Sequence, residues 1–141
     1  MSSMEIYPNK GIGNIEFGMN PGAVKEAMSS DLVYEEWMGG NLNDALFYSD
    51  FIVGFNDCDE DEPLPDSKVV EFRANGSKRI TFNGIALASL TRGKLASMVV
   101  QGIEATIDKN QDVIFQELGV SFGFDENGSV CILEMWQQKN S

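Results

Sequence analysis

Apolar residues recur at helical spacing in two short stretches of the chain. The first follows Asn20-Pro21, and the second follows Thr91, seventy-one residues later. The apolar positions are Val24, Ala27 and Met28 in the first stretch and Leu95, Met98 and Val99 in the second. Asparagine and threonine are good N-caps, and proline suits the first helical position. The pattern therefore predicts two short amphipathic helices that begin at corresponding points.

Each predicted helix is followed by runs of residues that favour strands. The runs are 43–47, 52–56 and 69–72 after the first helix, and 111–115, 121–125 and 130–133 after the second. Two of them end alike, in Gly54-Phe55-Asn56 and Gly123-Phe124-Asp125. Asn127-Gly128 lies between the last two runs and is a strong hairpin signal. We interpret the chain as two copies of a helix followed by an antiparallel meander.

These elements predict an α+β fold with a mainly antiparallel sheet and two short helices. The connections are short enough for hairpins, and no β-α-β alternation is present. We expect a single domain over residues 1–141, built from units at 11–75 and 80–137. The helices are expected to cover one face of the sheet, which leaves the other for a partner where aromatic residues point outward. Trp136, which continues the last strand, is expected in the core.

The charge of the chain is strongly negative and unevenly placed. The formal net charge is −12, and there is no histidine. Residues 1–66 hold fourteen acids against Lys10 and Lys25, whereas residues 67–141 hold eight charges of each sign. Nucleic acids and anionic membranes require basic residues, so neither is expected as a partner. The asymmetry predicts an acidic face for a basic partner, and a surface that serves only solubility remains the alternative.

The largest difference between the two units is an acidic insertion at residues 56–67. Six of its twelve residues are acids, and Pro63 and Pro65 oppose strand pairing, so we predict an exposed loop. Asp57, Asp59 and Asp61 have the spacing of the first ligands of an EF-hand calcium loop. The glycine and the final glutamate of that motif are missing, and we therefore predict no metal site.

Catalytic and cofactor signatures are weak in this sequence. Without histidine the commonest general base is missing, and Cys58 and Cys131 have neither a nucleophile signature nor the spacing of a zinc site or disulfide framework. Gly11-Ile12-Gly13 lacks the later glycine of a dinucleotide loop. We predict a protein that is not an enzyme and holds no cofactor. An enzyme that uses carboxylates alone remains open.

No secretory or membrane segment is predicted. Residues 1–10 contain no basic region followed by an apolar stretch, and no window approaches eighteen apolar residues. These features predict a soluble, cytoplasmic protein.

Acids and aromatic residues alternate in the acidic half, as they do in many protein-binding surfaces. Tyrosine and tryptophan serve as anchors in such surfaces, and carboxylates meet lysine or arginine. We predict that the partner-binding residues are Glu35, Glu36, Trp37, Asp44, Tyr48, Asp50, Asp57, Asp59, Glu60, Asp61, Glu62 and Asp66. The alternative for Trp37 is ordinary strand alternation with its ring in the core.

The segment from Lys10 to Asn20, which leads into the helix at Pro21, resembles the start of small bacterial α+β proteins, some immunity proteins among them. The whole chain, small and acidic without a catalytic set, resembles immunity proteins of contact-dependent growth inhibition and related toxin–immunity pairs. Its doubled plan is also similar to that of β-lactamase inhibitor proteins, although it lacks their secretion signal and disulfides. The resemblance implies a protein that binds and neutralises a cognate toxin domain, often a nuclease.

The physical argument agrees with this class. A nuclease presents lysine and arginine to phosphate, so an acidic inhibitor complements its cleft and speeds association. We therefore predict an immunity protein whose partner is a basic nuclease toxin. A small adaptor that binds a different protein is the alternative.

Overall fold

The computed structural model describes the backbone of residues 4–28, 32–36, 45–55 and 68–137, and the side chains of these residues except 32–36 and 45. Its strands are β1 (Met4–Tyr7), β2 (Gly11–Ile12), β3 (Ile15–Glu16), β4 (Leu32–Glu36), β5 (Ala45–Tyr48), β6 (Phe51–Phe55), β7 (Val69–Asn75), β8 (Ile80–Phe82), β9 (Ile85–Ala86), β10 (Val99–Val100), β11 (Ile103–Glu104), β12 (Thr106–Ile107), β13 (Val113–Phe115), β14 (Val120–Phe124) and β15 (Val130–Trp136). The chain also forms two α-helices, α1 (Pro21–Met28) and α2 (Arg92–Ala96), and two 3-10 turns, at Leu87–Ser89 and Gln116–Leu118.

The predicted α+β class with a mainly antiparallel sheet is confirmed. The main sheet has eight strands in the order β12-β13-β14-β15-β7-β6-β5-β4. It consists of the meanders β4–β7 and β12–β15, which meet where β7 pairs antiparallel with β15. A smaller sheet has the order β3-β2-β1-β8-β9, with β1 and β8 parallel. The interpretation of the chain as two copies stays a prediction.

Both predicted helix starts are confirmed by their caps. The Asn20 side chain accepts a hydrogen bond from the Ala23 N–H at 2.8 Å. The Thr91 hydroxyl accepts one from the Lys94 N–H at 3.3 Å. These bonds satisfy backbone donors that have no partner inside the first turn.

The second helix is shorter than the apolar spacing predicts. It ends at Ala96, and the Ser97 N–H closes the last turn on the Gly93 and Leu95 carbonyls. Met98 follows the helix, and Val99 belongs to β10 and is 56% exposed. Gln101 and Gly102 both have positive φ and turn the chain into the hairpin β10–β11, which competes with a further helical turn.

The predicted hairpin at Asn127-Gly128 is present between β14 and β15. Gly128 has φ of 79°, a conformation in which glycine carries no Cβ penalty. The Asp125 carboxylate accepts hydrogen bonds from the Asn127 and Ser129 N–H groups. The Asp125 side chain thus stabilises the turn by binding the backbone N–H groups of the turn itself.

One face of the main sheet is buried beneath the helices and the smaller sheet. Phe82 of the smaller sheet contacts Phe115 and Phe122 of the main sheet, with ring centroids 5.6 Å and 5.0 Å apart. Val24 of α1 and Leu95 of α2 are fully buried in the same core. The core therefore lies between the two layers, and the opposite face of the main sheet is left without such a layer in the described part of the chain.

No helix within the described ranges is long and apolar enough to cross a membrane.

Candidate functional site

The second face of the main sheet, which we call the open face, presents one row of side chains across seven strands. The backbone register aligns Thr106, Ile114, Ser121, Glu134, Arg73, Ile52 and Phe47. Each of these is partly or fully exposed, whereas their sequence neighbours Phe51, Val53, Phe72 and Phe122 are buried. Strand alternation therefore sends the rings of Phe51, Phe72 and Phe122 inward and leaves a mixed row of apolar, polar and charged groups outside, Phe47 among them.

Two glycines shape the open face at equivalent points of the two meanders. Gly54 pairs with Glu71, and Gly123 pairs with Ile132. A Cβ at Gly54 would lie 2.6 Å from the Glu71 Cγ, and one at Gly123 would lie 2.8 Å from the Ile132 Cγ2. The side chains of Glu71 and Ile132 thus fold over the glycines. The ladder register shifts directly after each glycine, as at a β-bulge.

Three acids interact beside β13–β15: Asp108 and Asp112, which precede β13, and Glu134 on β15. Desolvation by burial raises the pKa of Asp112, and the negative charges of Asp108 and Glu134 raise it further, while Arg92 opposes them. Arg92 itself donates from Nε to the Gln111 carbonyl at 2.9 Å and lies 4.9 Å from the Phe124 ring centroid. A cation brought to this acidic group would relieve the repulsion that Asp112 experiences.

A recess of about 340 Å³ opens at the other end of the open face, beside the β5–β6 hairpin. Phe47, Ile52, Ile132 and Arg73 are among the residues that line it. Ile132 is 39% exposed and adds apolar surface to this lining. The recess therefore combines apolar side chains with the cation of Arg73 and the carboxylate of Asp50.

Tyr48 does not form the surface anchor that the sequence predicts. Its ring is 5% exposed and stacks on Phe51 with ring centroids 5.1 Å apart. The physical reason is alternation, because Leu46 and Tyr48 share the inward face of β5 while Phe47 points to the other.

Asp50, also predicted to bind a partner, holds the β5–β6 hairpin to a neighbouring turn. Its carboxylate forms an ion pair with Arg79 and accepts a hydrogen bond from the Ser77 hydroxyl at 3.0 Å. Only 16% of the Asp50 side-chain surface and 18% of that of Arg79 are accessible. The Asp50 carboxylate is therefore occupied by interactions within the protein.

The other predicted contact residues are less fully placed. Glu35 and Glu36 lie on β4, where their backbones pair with Leu46 and Ala45. The remaining predicted residues, Trp37, Asp44, Asp57, Asp59, Glu60, Asp61, Glu62 and Asp66, lie outside the described residues, as does the calcium-like spacing of 57–68. Among the side chains that the structure describes, no group of three or more acids or cysteines is arranged to hold a metal ion.

Sequence reasoning missed two register partners of opposite charge at the middle of the open face and misplaced Trp136. Arg73 and Glu134 are register partners on the adjacent strands β7 and β15. Trp136 is half-buried because Leu133 and Met135 occupy the core positions of β15, which places the alternate residues on the open face. The alternation of residues 69–75 and 130–136 could have shown which side chains of these strands face outward. The pairing of the two strands could not be predicted from the sequence.

Compared with known proteins, the chain matches no family model, no curated protein and no solved structure.

Proposed function

We propose that this chain is an immunity protein that binds and neutralises a cognate bacterial toxin domain, a basic nuclease, in the cytoplasm. The observation that supports this most directly is the open face of the eight-stranded sheet. It spans both meanders and carries acids, apolar side chains and one arginine, and no described element covers it. Such a mixture is typical of protein interfaces with a desolvated centre and a polar rim.

The charge of the chain supports a basic partner. A nuclease domain gathers lysine and arginine in its cleft because it must bind phosphate. Carboxylates at Glu71, Glu134 and Asp112 lie on or beside the open face and offer those groups an alternative to phosphate. The net charge of −12 adds long-range attraction, which raises the association rate. Inhibition then follows because the nucleic acid substrate is excluded.

The proposed contact set is revised by the positions of two residues. Tyr48 and Asp50 stabilise the β5–β6 hairpin instead. The Tyr48 ring is buried, and the Asp50 carboxylate forms an ion pair with Arg79. The acids of residues 57–66, with Glu35, Glu36, Trp37 and Asp44, stay in the proposed set. Catalysis by carboxylates is less well supported. Asp112, whose pKa is raised, lines neither the recess nor a second cleft, which lies beside β10–β12 and is lined by residues that include Glu104 and Glu117.

Co-expression tests the proposal. We expect the gene of an immunity protein to lie directly downstream of its toxin gene, and the toxin domain from that neighbour arrests growth when produced alone. Production of this chain should restore growth and yield a complex that survives purification. An adaptor would instead bind a neighbour that is harmless to the cell, so failure of both rescue and binding contradicts the immunity proposal.

The acidic segment 57–66 is tested in the same system with a sixfold variant in which each Asp becomes Asn and each Glu becomes Gln. Loss of these charges should weaken toxin binding about tenfold or more and flatten its dependence on salt. A control variant neutralises Glu104, Glu117 and Glu126, three exposed acids away from the first half, and the two variants are compared by the loss of affinity per charge removed. Unchanged affinity in the sixfold variant would remove the segment from the interface.

A further inference from the structure

The recess beside the β5–β6 hairpin is suited to a single large side chain. Its volume of about 340 Å³ lies at the lower end of the range of small-molecule sites. Phe47, Ile52 and Ile132 provide an apolar surface, and Ala74 and Phe51 belong to the same lining. A partner residue placed here would bury apolar area on both sides of the contact.

Arg73, which lines this recess, differs from the nearby Arg79. Arg79 is held by the Asp50 carboxylate and lies 5.9 Å from the Phe51 ring centroid. Arg73 is exposed, and within the described ranges no carboxylate lies at ion-pair distance from it, although Glu134 is its register partner. A guanidinium with no carboxylate at ion-pair distance in the described ranges has donors left for a carboxylate of a partner, and this local pairing has to act against the overall negative charge of the chain.

Hydrogen bonds hold the turn of the β5–β6 hairpin, which lies beside the recess, in the absence of a partner. The Ser77 hydroxyl donates to Asp50 and accepts from the N–H groups of Arg79 and Ile80, at 2.9 Å and 3.1 Å. The Asn75 N–H donates to the Asp50 carbonyl at 3.1 Å, which ties the hairpin to the end of β7. A recess whose walls do not need to be ordered on binding loses less entropy when it is filled.

We propose that this recess is the anchor point of the partner interface, and that it receives a protein segment in which a large apolar residue adjoins an aspartate or glutamate. The apolar side chain fills the recess against Phe47, Ile52 and Ile132, and the carboxylate forms a bidentate pair with Arg73. The inference rests on the proposed protein-binding role of the open face, but it does not require the partner to be a toxin.

A random peptide library displayed on phage tests the proposal with the full chain. Peptides selected on the wild-type protein should share a large apolar residue next to an acid. Arg73→Gln and Ile132→Asp should each weaken binding of the selected synthetic peptides at least tenfold. Lys94→Glu, at an exposed position on α2, should leave it unchanged. Circular dichroism confirms that each variant is folded.

Charge exchange and thiol protection provide two further readouts. Arg73→Glu should regain affinity for peptides whose acid is replaced by lysine. Cys131 is exposed and lines the recess, so in a Cys58→Ser background a bound peptide should slow its alkylation by iodoacetamide. Selection of no peptide, peptides without an acid, or affinity indifferent to Arg73→Gln would overturn the proposal. The peptide experiments and the growth-rescue experiment are independent, so failure of this proposal can be distinguished from failure of the proposed immunity function.

Discussion

At the scale of single residues, the environment of Asp112 disfavours the charge of its carboxyl group. Partial burial raises its pKa, Asp108 and Glu134 add repulsion, and Arg92 offsets part of it. The folded protein therefore binds a proton at this site more tightly than the unfolded chain does. Stability gained from that proton is present at low pH and is lost as the pH rises through the raised pKa.

Asp112→Asn should accordingly be more stable than the wild-type protein at pH 7. The difference in the free energy of unfolding should shrink as the pH falls toward 3.8, the ordinary aspartate value, because the wild-type carboxyl becomes neutral as well. Urea titrations at a series of pH values measure this. Glu126→Gln, at an exposed turn, is the control for the general loss of one negative charge. A variant less stable than the wild type at pH 7 would contradict the argument.

At the scale of elements, some glycines have room for a Cβ atom, whereas at others a Cβ atom would clash with the backbone of a neighbouring segment. Gly93 lies in α2, and no heavy atom is found within 4 Å of the position that a Cβ would occupy. Gly76 follows β7, and a Cβ there would lie 2.2 Å from the Val130 carbonyl oxygen. The first glycine weakens its helix through backbone entropy, and the second permits close approach of two chain segments.

Gly93→Ala should stabilise the protein by roughly 0.5–1 kcal/mol, since alanine removes the entropic disadvantage of glycine in a helix. Gly76→Ala should destabilise it by about 1–3 kcal/mol, because the obstacle is a backbone oxygen that cannot rotate away. Thermal and urea unfolding of the two variants measure both effects. Equal effects of the same sign at the two sites would show that the packing around Gly76 is looser than described.

At the scale of the whole molecule, a net charge of −12 on 141 residues opposes the compact state through self-repulsion. The two meanders share one sheet through β7 and β15, so repulsion in the acidic half acts on the same cooperative core. Salt weakens this repulsion, because the Debye length falls from about 14 Å at 0.05 M to about 4 Å at 0.5 M.

Raising NaCl from 0.05 M to 0.5 M should therefore increase Tm by roughly 2–5 °C. The sixfold neutralised variant of segment 57–66, which removes half of the net charge of −12, should show a smaller increase. Differential scanning calorimetry provides the measurement, and NaBr at equal ionic strength separates screening from ion-specific effects. An equal response of both proteins would assign the salt effect to something other than self-repulsion.

The sequence by itself determined the local elements of this protein. The caps Asn20 and Thr91 and the Asn127-Gly128 turn depend on atoms within a few residues of each other, so their signals survive in any tertiary context. The fold class follows from the same patterns. The end of α2 was mispredicted because the Gln101-Gly102 turn competes with continued apolar spacing.

Only the tertiary structure decided which surfaces these elements form. The pairing of β7 with β15 brings Arg73 beside Glu134. The Asp50–Arg79 ion pair connects the β5–β6 turn to the turn before β8. Strand register also sends Tyr48 inward and leaves Phe47 and Ile132 around an open recess. These facts depend on contacts between distant segments, and a shift of one residue in register would exchange the two faces of a strand. Composition located the charge of this protein in its first half, but the folded sheet decided which groups stand together on its open face.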